Sequence, residues 1–193
     1  MTLFPMFLKL EGRSTLVVGA GTIATPKIES LLQAGARVRV IAPQASEVVR
    51  QWAESGQIEW LAKSFEPSDL NEVFLAVVAT SSREVNANVF QEARLRKVLC
   101  NVVDDPEHCD FYYPSVVRRG KLQVAISTEG QSPALAQKMR LELEEQYGPE
   151  YEQWVEQLGA ERAKLFQIDM DPAERRRLLH ELASRKPEVK DAR

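Results

Sequence analysis

Residues 14–32 read S-T-L-V-V-G-A-G-T-I-A-T-P-K-I-E-S-L-L, and this stretch decides the fold. Its first part, residues 15–18, is an apolar and β-branched run typical of a buried strand. Two glycines, Gly19 and Gly21, interrupt the run. Apolar residues then recur at helical spacing, at Ile23, Ile28, Leu31 and Leu32. The stretch therefore predicts a strand, a glycine turn and an amphipathic helix in immediate succession.

The turn at residues 19–24, G-A-G-T-I-A, has the G-x-G-x-x-G/A spacing of a dinucleotide-binding fingerprint. Gly19 permits the tight turn, Gly21 lets the backbone approach a pyrophosphate, and Ala24 lets the helix pack close to the strand. The helix N-terminus offers N–H groups and a positive dipole end to phosphates. The flanking strand and helix, with a second strand at 38–42, favour nucleotide binding over a structural βα turn.

Composition excludes several classes of protein. The chain has 193 residues, of which 44% are hydrophobic, and a net charge of -3, so we expect a globular protein and no general affinity for nucleic acid. Cys100 and Cys109 form no C-x-x-C pattern, which fits a reducing cytoplasm without disulfides. The apolar segment at 3–8 is short and has no basic segment before it, so we expect no signal peptide. No apolar run is long enough for a membrane span.

Strands and helices alternate through the first half of the chain. Predicted strands lie at 7–10, 15–18, 37–42, 58–61, 75–79 and 98–103. Between them, helices are predicted after the glycine turn, closed by Gly35, and at 44–55, at a short turn from Pro67, and at 83–96. This rhythm predicts an α/β fold with a doubly wound parallel sheet of Rossmann type.

The alternation stops near Asp104, and a different organisation follows. Phe111 to Pro114 lead into a polar turn at 118–120, then a strand at 122–127 and a helix opened by Ser132 as N-cap and Pro133. Two further helices are predicted at 151–166 and from Asp171. We therefore divide the chain into a nucleotide-binding domain at 1–112, a small strand-and-helix region at 113–149 and a helical region at 150–193, whose charged tail from residue 185 we expect to fray.

Two adjacent carboxylates follow the last strand of the predicted sheet, in the run N-V-V-D-D-P at 101–106. Ligands bind at this end of the strands in open α/β sheets. Neighbouring side chains on extended backbone point to opposite sides, so one of the two, Asp104, would face the cleft. There it could act as a base or hold a metal. The alternative is that Asp104 and Asp105 only form a turn and helix-start signal.

The end of the second strand lacks the acidic residue that usually binds the ribose hydroxyls. Pro43 and Gln44 stand there instead, and Gln44 retains the capacity to hydrogen-bond a hydroxyl. No arginine follows to favour a 2′-phosphate, so the sequence favours NAD over NADP. The alternative is that Pro43 and Gln44 only turn the chain.

Two other groups of polar residues are more simply explained by structure. His108 and Cys109 lie among aspartates, but their spacing matches no zinc pattern, and we expect loop and packing roles and no metal site. The polar loop at 127–133 ends at a helix N-terminus and is accompanied by basic residues suited to a polycarboxylate: Arg118, Arg119, Lys121, Lys138 and Arg140. From spacing alone, ordinary capping explains Ser132 and Pro133 better.

Several motifs occur together over residues 3–150 in one register. They are the opening at 3–8, the fingerprint with Lys27, the runs 32–38 and 42–43, the block C-N-V-V-D at 100–104, Pro114 with Ser115, and S-P-A-L-A at 132–136. Their combination resembles the precorrin-2 dehydrogenase/sirohydrochlorin ferrochelatase family, also found as the N-terminal module of siroheme synthase. Pro26 and the pair Thr128–Glu129 depart from residues often seen in that family.

The resemblance implies an NAD-dependent oxidation of precorrin-2 to sirohydrochlorin, and in some members Fe²⁺ insertion to give siroheme. It implies Asp104 as the functional carboxylate and NAD contacts at Gly19, Gly21, Thr22, Ile23, Pro43 and Gln44. For the tetrapyrrole it suggests Thr128, Ser132 and Arg118. It also implies a homodimer formed through the middle segment and, because the sequence ends at Arg193, no methyltransferase module.

Two rival functions start from the same fingerprint. A nucleotide-sensing regulatory Rossmann domain would keep the fingerprint without catalysis, but it would be expected to have an acidic residue after the second strand and gives Asp104 no role. A short-chain dehydrogenase needs a Tyr-x-x-x-Lys pair, which none of the four tyrosines provides.

Overall fold

The first half of the chain forms a five-stranded parallel sheet in the computed structural model, which describes residues 2–185 and Pro187. The strands are β1 (Ser14–Val18), β2 (Arg37–Ile41), β3 (Glu59–Leu61), β4 (Leu75–Val78) and β5 (Leu99–Val102). Their spatial order is β3-β2-β1-β4-β5. This is the predicted doubly wound topology, and the strand order reverses between β1 and β4.

Helices connect these strands, as the alternating pattern predicts. They are α1 (Thr25–Gln33), α2 (Glu47–Glu54) and α3 (Arg83–Leu95), with a 3₁₀ turn at Pro67–Leu70. Pro26 occupies the second position of α1, where a missing N–H group costs no intrahelical hydrogen bond. Gly35 follows α1 at φ 74° and donates its N–H to Leu32 O, which ends the helix as expected.

The two central strands are buried on both faces. Leu16 and Val17 of β1 and Val77 and Val78 of β4 have no exposed surface. Helices cover both sides of a doubly wound sheet, which explains why these strands read as continuous apolar runs without alternation. The core therefore fixes the position of both strand ends at the point where the strand order reverses.

Two expectations for this unit are wrong. Residues 7–10 form no strand; Phe4 and Phe7 are 79% and 68% exposed, and the backbone pairs with neither edge of the sheet. Strand propensity alone does not form a strand when no partner offers a hydrogen-bonding ladder. Ile23 does not belong to the buried side of α1, because it lies in the turn before the helix and is 55% exposed.

The chain divides into two compact units, Met1–Tyr112 and Tyr113–Arg193. The second contains an antiparallel hairpin and three helices: β6 (Ser115–Arg119), β7 (Leu122–Ile126), α4 (Pro133–Gln146), α5 (Glu150–Gln167) and α6 (Pro172–Ala183). The tail for which we predict fraying lies, beyond Arg185, outside the described residues except for Pro187.

Strand β6 is absent from the sequence prediction, which assigns Arg118 and Arg119 to a turn. Both arginines belong to the strand, and the turn begins one residue later at Gly120, with φ 55°. Val117 pairs with Val124 across the hairpin and is fully buried. This apolar pairing outweighs the weak strand preference of the two arginines. Within the described residues, no helix is both long and apolar enough to cross a membrane.

Gly19→Ala should strongly destabilise the fold. A Cβ at position 19 would lie 2.3 Å from Ala79 O, and the φ of 107° is unfavourable for any L-residue. We expect a loss of about 3 kcal/mol or more in the free energy of unfolding, measured by urea denaturation. Gly56→Ala is the matched control, since its φ is 73° but no atom lies within 4 Å. It should cost only about 1 kcal/mol, and equal losses in the two variants would contradict the steric explanation.

Candidate functional site

The carboxyl ends of the parallel strands bring four loops to one edge of the sheet. These are the glycine turn after β1, the residues after β2, the loop from Ala79 after β4 and the loop from Val103 after β5. The strand order reverses between β1 and β4, which is where ligands bind in sheets of this kind. The predicted cofactor contacts and Asp104 all belong to these loops.

Gly19 allows the glycine turn to pass directly against the end of β4. Its N–H donates to Ile41 O at 2.9 Å, and Ala79 N–H donates to Val18 O at 2.8 Å. The space that a side chain would need at position 19 is filled by the Ala79 carbonyl group. The first glycine of the fingerprint is therefore required by backbone packing, whether or not a nucleotide is bound.

The rest of the turn exposes backbone donors. Among the described residues, the N–H groups of Gly21, Thr22 and Ile23 have no protein acceptor, and all three residues are exposed. No atom lies within 4 Å of the position that a Cβ on Gly21 would take. Ala24, in contrast, is fully buried where α1 meets the sheet. Backbone N–H groups without protein acceptors at the start of a helix are suited to bind a pyrophosphate. We call the N–H groups of residues 21–23 the glycine cradle.

The loop after β2 is attached to this cradle. Ser46 N–H donates to Ala20 O at 2.9 Å, and the hydroxyls of Ser46 and Thr25 lie 3.4 Å apart. Pro43 and Gln44, in the same loop, are both exposed. The structure thus brings the predicted cofactor residues of the two loops to one place, and a ribose contact by Gln44 stays a prediction.

A network of side-chain hydrogen bonds follows β4, and the sequence analysis did not predict it. Thr80 Oγ1 lies 2.6 Å from Asn86 Oδ1 and donates to it, while Asn86 Nδ2 donates to Thr80 O at 3.2 Å. Ser82 N–H donates to Thr80 Oγ1, and Ser82 caps α3 through Val85 N–H. These bonds fix the wall of the crevice beside Gly19. The sequence signal was a threonine directly after a buried strand, which is too common to single out.

Asp104 and Asp105 have different partners, but not through strand alternation: Asp104 lies in a turn, and Asp105 directly precedes a 3₁₀ turn at Pro106–His108, as the turn and helix-start alternative predicts. Asp104 is exposed, adopts φ 61° and interacts electrostatically with Lys27 of α1. The Asp105 carboxylate is hydrogen-bonded to His108 Nδ1 at 2.8 Å. Glu72, Lys97 and Glu129 also have positive φ, and aspartate is one of the residue types that adopt this region most readily, so it is the position of Asp104 at the strand end that distinguishes it.

Lys27 is the charged group that the sequence analysis did not assign to the site. It lies on α1, one turn after Ala24, and is half-buried. Burial lowers the pKa of Lys27, and the nearby Asp104 carboxylate partly opposes that shift. A desolvated lysine beside a carboxylate is a frequent feature of functional sites. Its spacing from the fingerprint was the available signal, but only the fold shows that Lys27 lies near enough to Asp104 for an electrostatic interaction.

The remaining polar residues of that loop form structural contacts. His108 packs edge-on against the Phe90 ring with centroids 5.0 Å apart. Asn101, Cys109 and Asp110 bind the loop back onto β5. Within residues 2–185 and Pro187, no three His, Cys, Asp or Glu side chains are placed to hold a metal ion together.

The predicted tetrapyrrole contacts belong to the second unit. Thr128 Oγ1 accepts Ser132 N–H at 3.1 Å, and Ser132 Oγ accepts Leu135 N–H at 3.2 Å, so both hydroxyls cap the start of α4. Arg118 lies on β6 and is exposed. The structure therefore joins Thr128 to Ser132 in one hydrogen-bonded turn.

The basic residues that accompany this turn in the sequence do not all lie beside it, because Arg118 and Arg119 belong to the far end of the hairpin, and most of the five already have partners. Arg119 donates to Tyr147 O and Glu144 O at the end of α4. The others pair with glutamates: Lys121 with Glu156, Lys138 with Glu142 and Arg140 with Glu144. In the part of the chain that the structure describes, the Arg118 guanidinium has no such partner. Of the five basic residues, Arg118 is therefore the one whose charge is not already paired, but it lies opposite Gln123 near the hairpin tip and is not part of the turn formed by Thr128 and Ser132.

Comparisons with known proteins cover both units. Residues 6–115 match a family described as putative NAD(P)-binding, and residues 119–146 match the central domain of sirohaem biosynthesis proteins. Siroheme synthase 1 of Serratia proteamaculans is 42% identical over 177 residues, which cover 92% of this chain and 37% of that protein. Siroheme synthase 1 of Pectobacterium atrosepticum is 47% identical over 144 residues, covering 75% of this chain and 30% of its own length. The chain thus spans about a third of these curated relatives.

A solved structure resembles nearly the whole chain. The structure of SirC, a precorrin-2 dehydrogenase, superposes with a TM-score of 0.80 at 34% sequence identity. The match covers 93% of this chain and 89% of the SirC chain. The similarity therefore includes the hairpin and helices of the second unit as well as the nucleotide-binding sheet.

Lys27→Met should stabilise the protein at pH 7, with a gain that shrinks as pH rises. Burial lowers the pKa of Lys27 in the folded state, so the unfolded chain binds its proton more tightly. Wild-type stability therefore rises between the lowered folded pKa and the ordinary value of 10.5, where the lysine becomes neutral in the folded state first. Urea denaturation at pH 7 and near pH 10 measures the difference.

Lys9→Met serves as the control, because Lys9 is exposed in the N-terminal segment. Its effect on the free energy of unfolding should be small at both pH values. A Lys27→Met variant that is less stable than the wild type at pH 7, or whose difference does not change with pH, would contradict the desolvation of Lys27.

Proposed function

Because the chain belongs to the precorrin-2 dehydrogenase family of NAD(P)-binding proteins, we propose that it oxidises precorrin-2 to sirohydrochlorin with NAD⁺. The observation that carries the proposal is the position of Asp104. Its carboxylate follows β5 at the ligand-binding edge of the sheet and interacts with Lys27 on the helix that begins at the glycine cradle. A regulatory nucleotide-binding domain would not need this arrangement.

The residues of the cradle fit the cofactor. Gly21, Thr22 and Ile23 would hold the pyrophosphate through their open N–H groups, and Gln44 beside Pro43 would bind a ribose hydroxyl. NAD⁺ supplies a hydride acceptor when it is bound. Gly19 contributes through the backbone packing that shapes the turn. No arginine or lysine directly follows Gln44, which supports NAD over NADP.

Asp104 is the group that we assign to proton transfer. The overall conversion gives sirohydrochlorin, NADH and one proton from precorrin-2 and NAD⁺, so a base must take the proton that leaves with the hydride. An exposed carboxylate at the crevice is suited to accept it. Lys27 would orient the Asp104 side chain through their electrostatic interaction.

The second unit supports recognition of a large anionic ring. We propose that Arg118, Thr128 and Ser132 in the region 113–149 bind carboxylates of the tetrapyrrole, and that this region also forms a homodimer. Three apolar residues of α4 are between 39% and 49% exposed: Leu135, Met139 and Leu141. Exposed apolar residues on one helix support a second copy of the chain as a partner. The helices of the region 150–193 would complete that unit. Two free thiols are consistent with the cytoplasmic location that we propose.

Anaerobic incubation of the protein with precorrin-2 and NAD⁺ tests the activity. We expect NADH absorbance to rise with formation of sirohydrochlorin. Asp104→Asn should lower kcat by about a hundredfold or more, because it removes the base. Asparagine tolerates the left-handed backbone at this position, so the fold and NAD affinity should be retained.

Asp105→Asn is the matched control, because its side chain pairs with His108 and an amide would keep that hydrogen bond. It should retain most of the activity. If the wild type formed no NADH but bound NAD, the regulatory alternative would be favoured. Equal losses in the two variants would refute the role given to Asp104.

Fe²⁺ insertion into sirohydrochlorin is a second proposed activity, in which Fe²⁺ is a substrate. Insertion releases two pyrrole protons, and Asp104 is a candidate to accept one of them. Asp104→Ala should therefore lose siroheme formation, followed by absorbance under anaerobic conditions, while NAD binding measured by titration remains. Iron insertion at the wild-type rate in this variant would remove Asp104 from that step.

A further inference from the structure

The loop that carries Asp104 returns to the sheet almost at once. After β5 ends, the backbone turns through Asp104 and runs back antiparallel, so that Asn101 and Cys109 form a β-bridge. Asp110 N–H donates to Cys100 O at 2.8 Å, and Cys100 N–H donates to Asp110 Oδ2 at 2.9 Å. The two ends of the loop are therefore fixed to the same strand.

The Cys109 thiol lies inside this closed loop. Its Sγ is 3.1 Å from Val102 O and 3.2 Å from Asp105 O, and the two carbonyls share the single S–H proton. The two acceptors flank Val103 and Asp104 on either side. Asp105 N–H also donates to Val102 O at 3.2 Å, so the Cys109 side chain reinforces a turn that the backbone closes, and in this turn Asp104 adopts its left-handed conformation.

Asn101 orients the thiol from the strand side. Its Nδ2 donates to Cys109 Sγ at 3.2 Å and to Phe111 O at 2.7 Å. Asn101 is only 6% exposed, so its amide has no freedom to turn to solvent. A buried amide that is satisfied by two partners is a rigid element, and a partly satisfied one would be costly.

We propose that Cys109, oriented by Asn101, is a positioning residue that holds Asp104 in the conformation required for dehydrogenation. The inference rests on the proposed function, because it gives a role to the loop that presents the base. The cost of the left-handed conformation is of the same order as one hydrogen bond, so a group that adds to the backbone bond between Asp105 and Val102 changes how firmly the segment keeps it.

The chemistry of the thiol suits a donor. Burial, together with the charges of Asp105 and Asp110, raises the pKa of the Cys109 thiol. The thiol therefore keeps its proton at neutral pH and donates it to a carbonyl. A thiolate, which nucleophilic catalysis or metal binding would require, is disfavoured at this place.

Cys109→Val tests the role, because valine fits the extended backbone at this position, φ -131° and ψ 123°, and removes the donor. We expect kcat for NADH formation from precorrin-2 to fall about ten- to a hundredfold, with the Kd for NAD within about twofold of the wild type. Cys109→Ser restores an O–H donor and should recover at least half of the lost activity on a logarithmic scale.

Cys100→Ala is the control for loss of a buried cysteine side chain. Cys100 is fully buried in β5, and only its backbone takes part in the loop contacts. The variant should lose stability without a change in kcat. If Cys109→Val fails to fold, as judged by circular dichroism and NAD titration, the smaller Cys109→Ala replaces it in the same assay.

The outcomes separate this inference from the proposed function. A wild type that binds NAD but makes no NADH from precorrin-2 fails the proposed function itself. An active wild type whose folded Cys109→Val or Cys109→Ala variant keeps full kcat overturns the positioning role alone. A serine variant as impaired as the valine variant also overturns it, because the hydrogen bond would then not be the cause.

Discussion

The close contact between Gly19 and the Ala79 carbonyl group is the constraint on which the rest of this protein depends. It brings the turn after β1 against the end of β4, where the strand order reverses. Any side chain at this position would separate the two strand ends. The N–H groups of the following residues then project into the crevice, since the helix has not yet begun to use them. The cradle is thus a consequence of backbone packing that an achiral residue makes possible.

Charge is placed at this edge at some cost, and the costs are offset locally. Lys27 loses hydration by its burial on α1, and Asp104 lies near enough to compensate in part. Asp104 itself occupies a backbone conformation that most residues avoid. A partly desolvated lysine that interacts with a carboxylate at this edge is the kind of arrangement that functional sites often contain.

Much of the fold could be predicted from the sequence, because its strongest patterns are local. The buried run of β4, the fingerprint and the Asp171 cap of α6 were recognisable from adjacent residues, and the cap is confirmed by bonds from Ala173 and Glu174. The predictions were wrong where strand formation depends on pairing with a distant segment. Residues 7–10 have no neighbouring strand, and β6 forms because β7 pairs with it. The site followed the same division, since Asp104 was evident from its strand whereas Lys27 required the fold.

Capping and ligand binding by the second unit are not mutually exclusive. Ser132 Oγ and Thr128 Oγ1 act as acceptors in their caps, towards Leu135 N–H and Ser132 N–H. A hydroxyl that accepts one hydrogen bond still has its own proton to donate. A carboxylate approaching this turn would therefore meet two oriented O–H donors at a helix N-terminus, with the positive end of the α4 dipole behind them. The hydrogen bonds that stabilise the start of α4 also orient these two hydroxyls, so their capping role is compatible with the ligand contacts that we propose for Thr128 and Ser132.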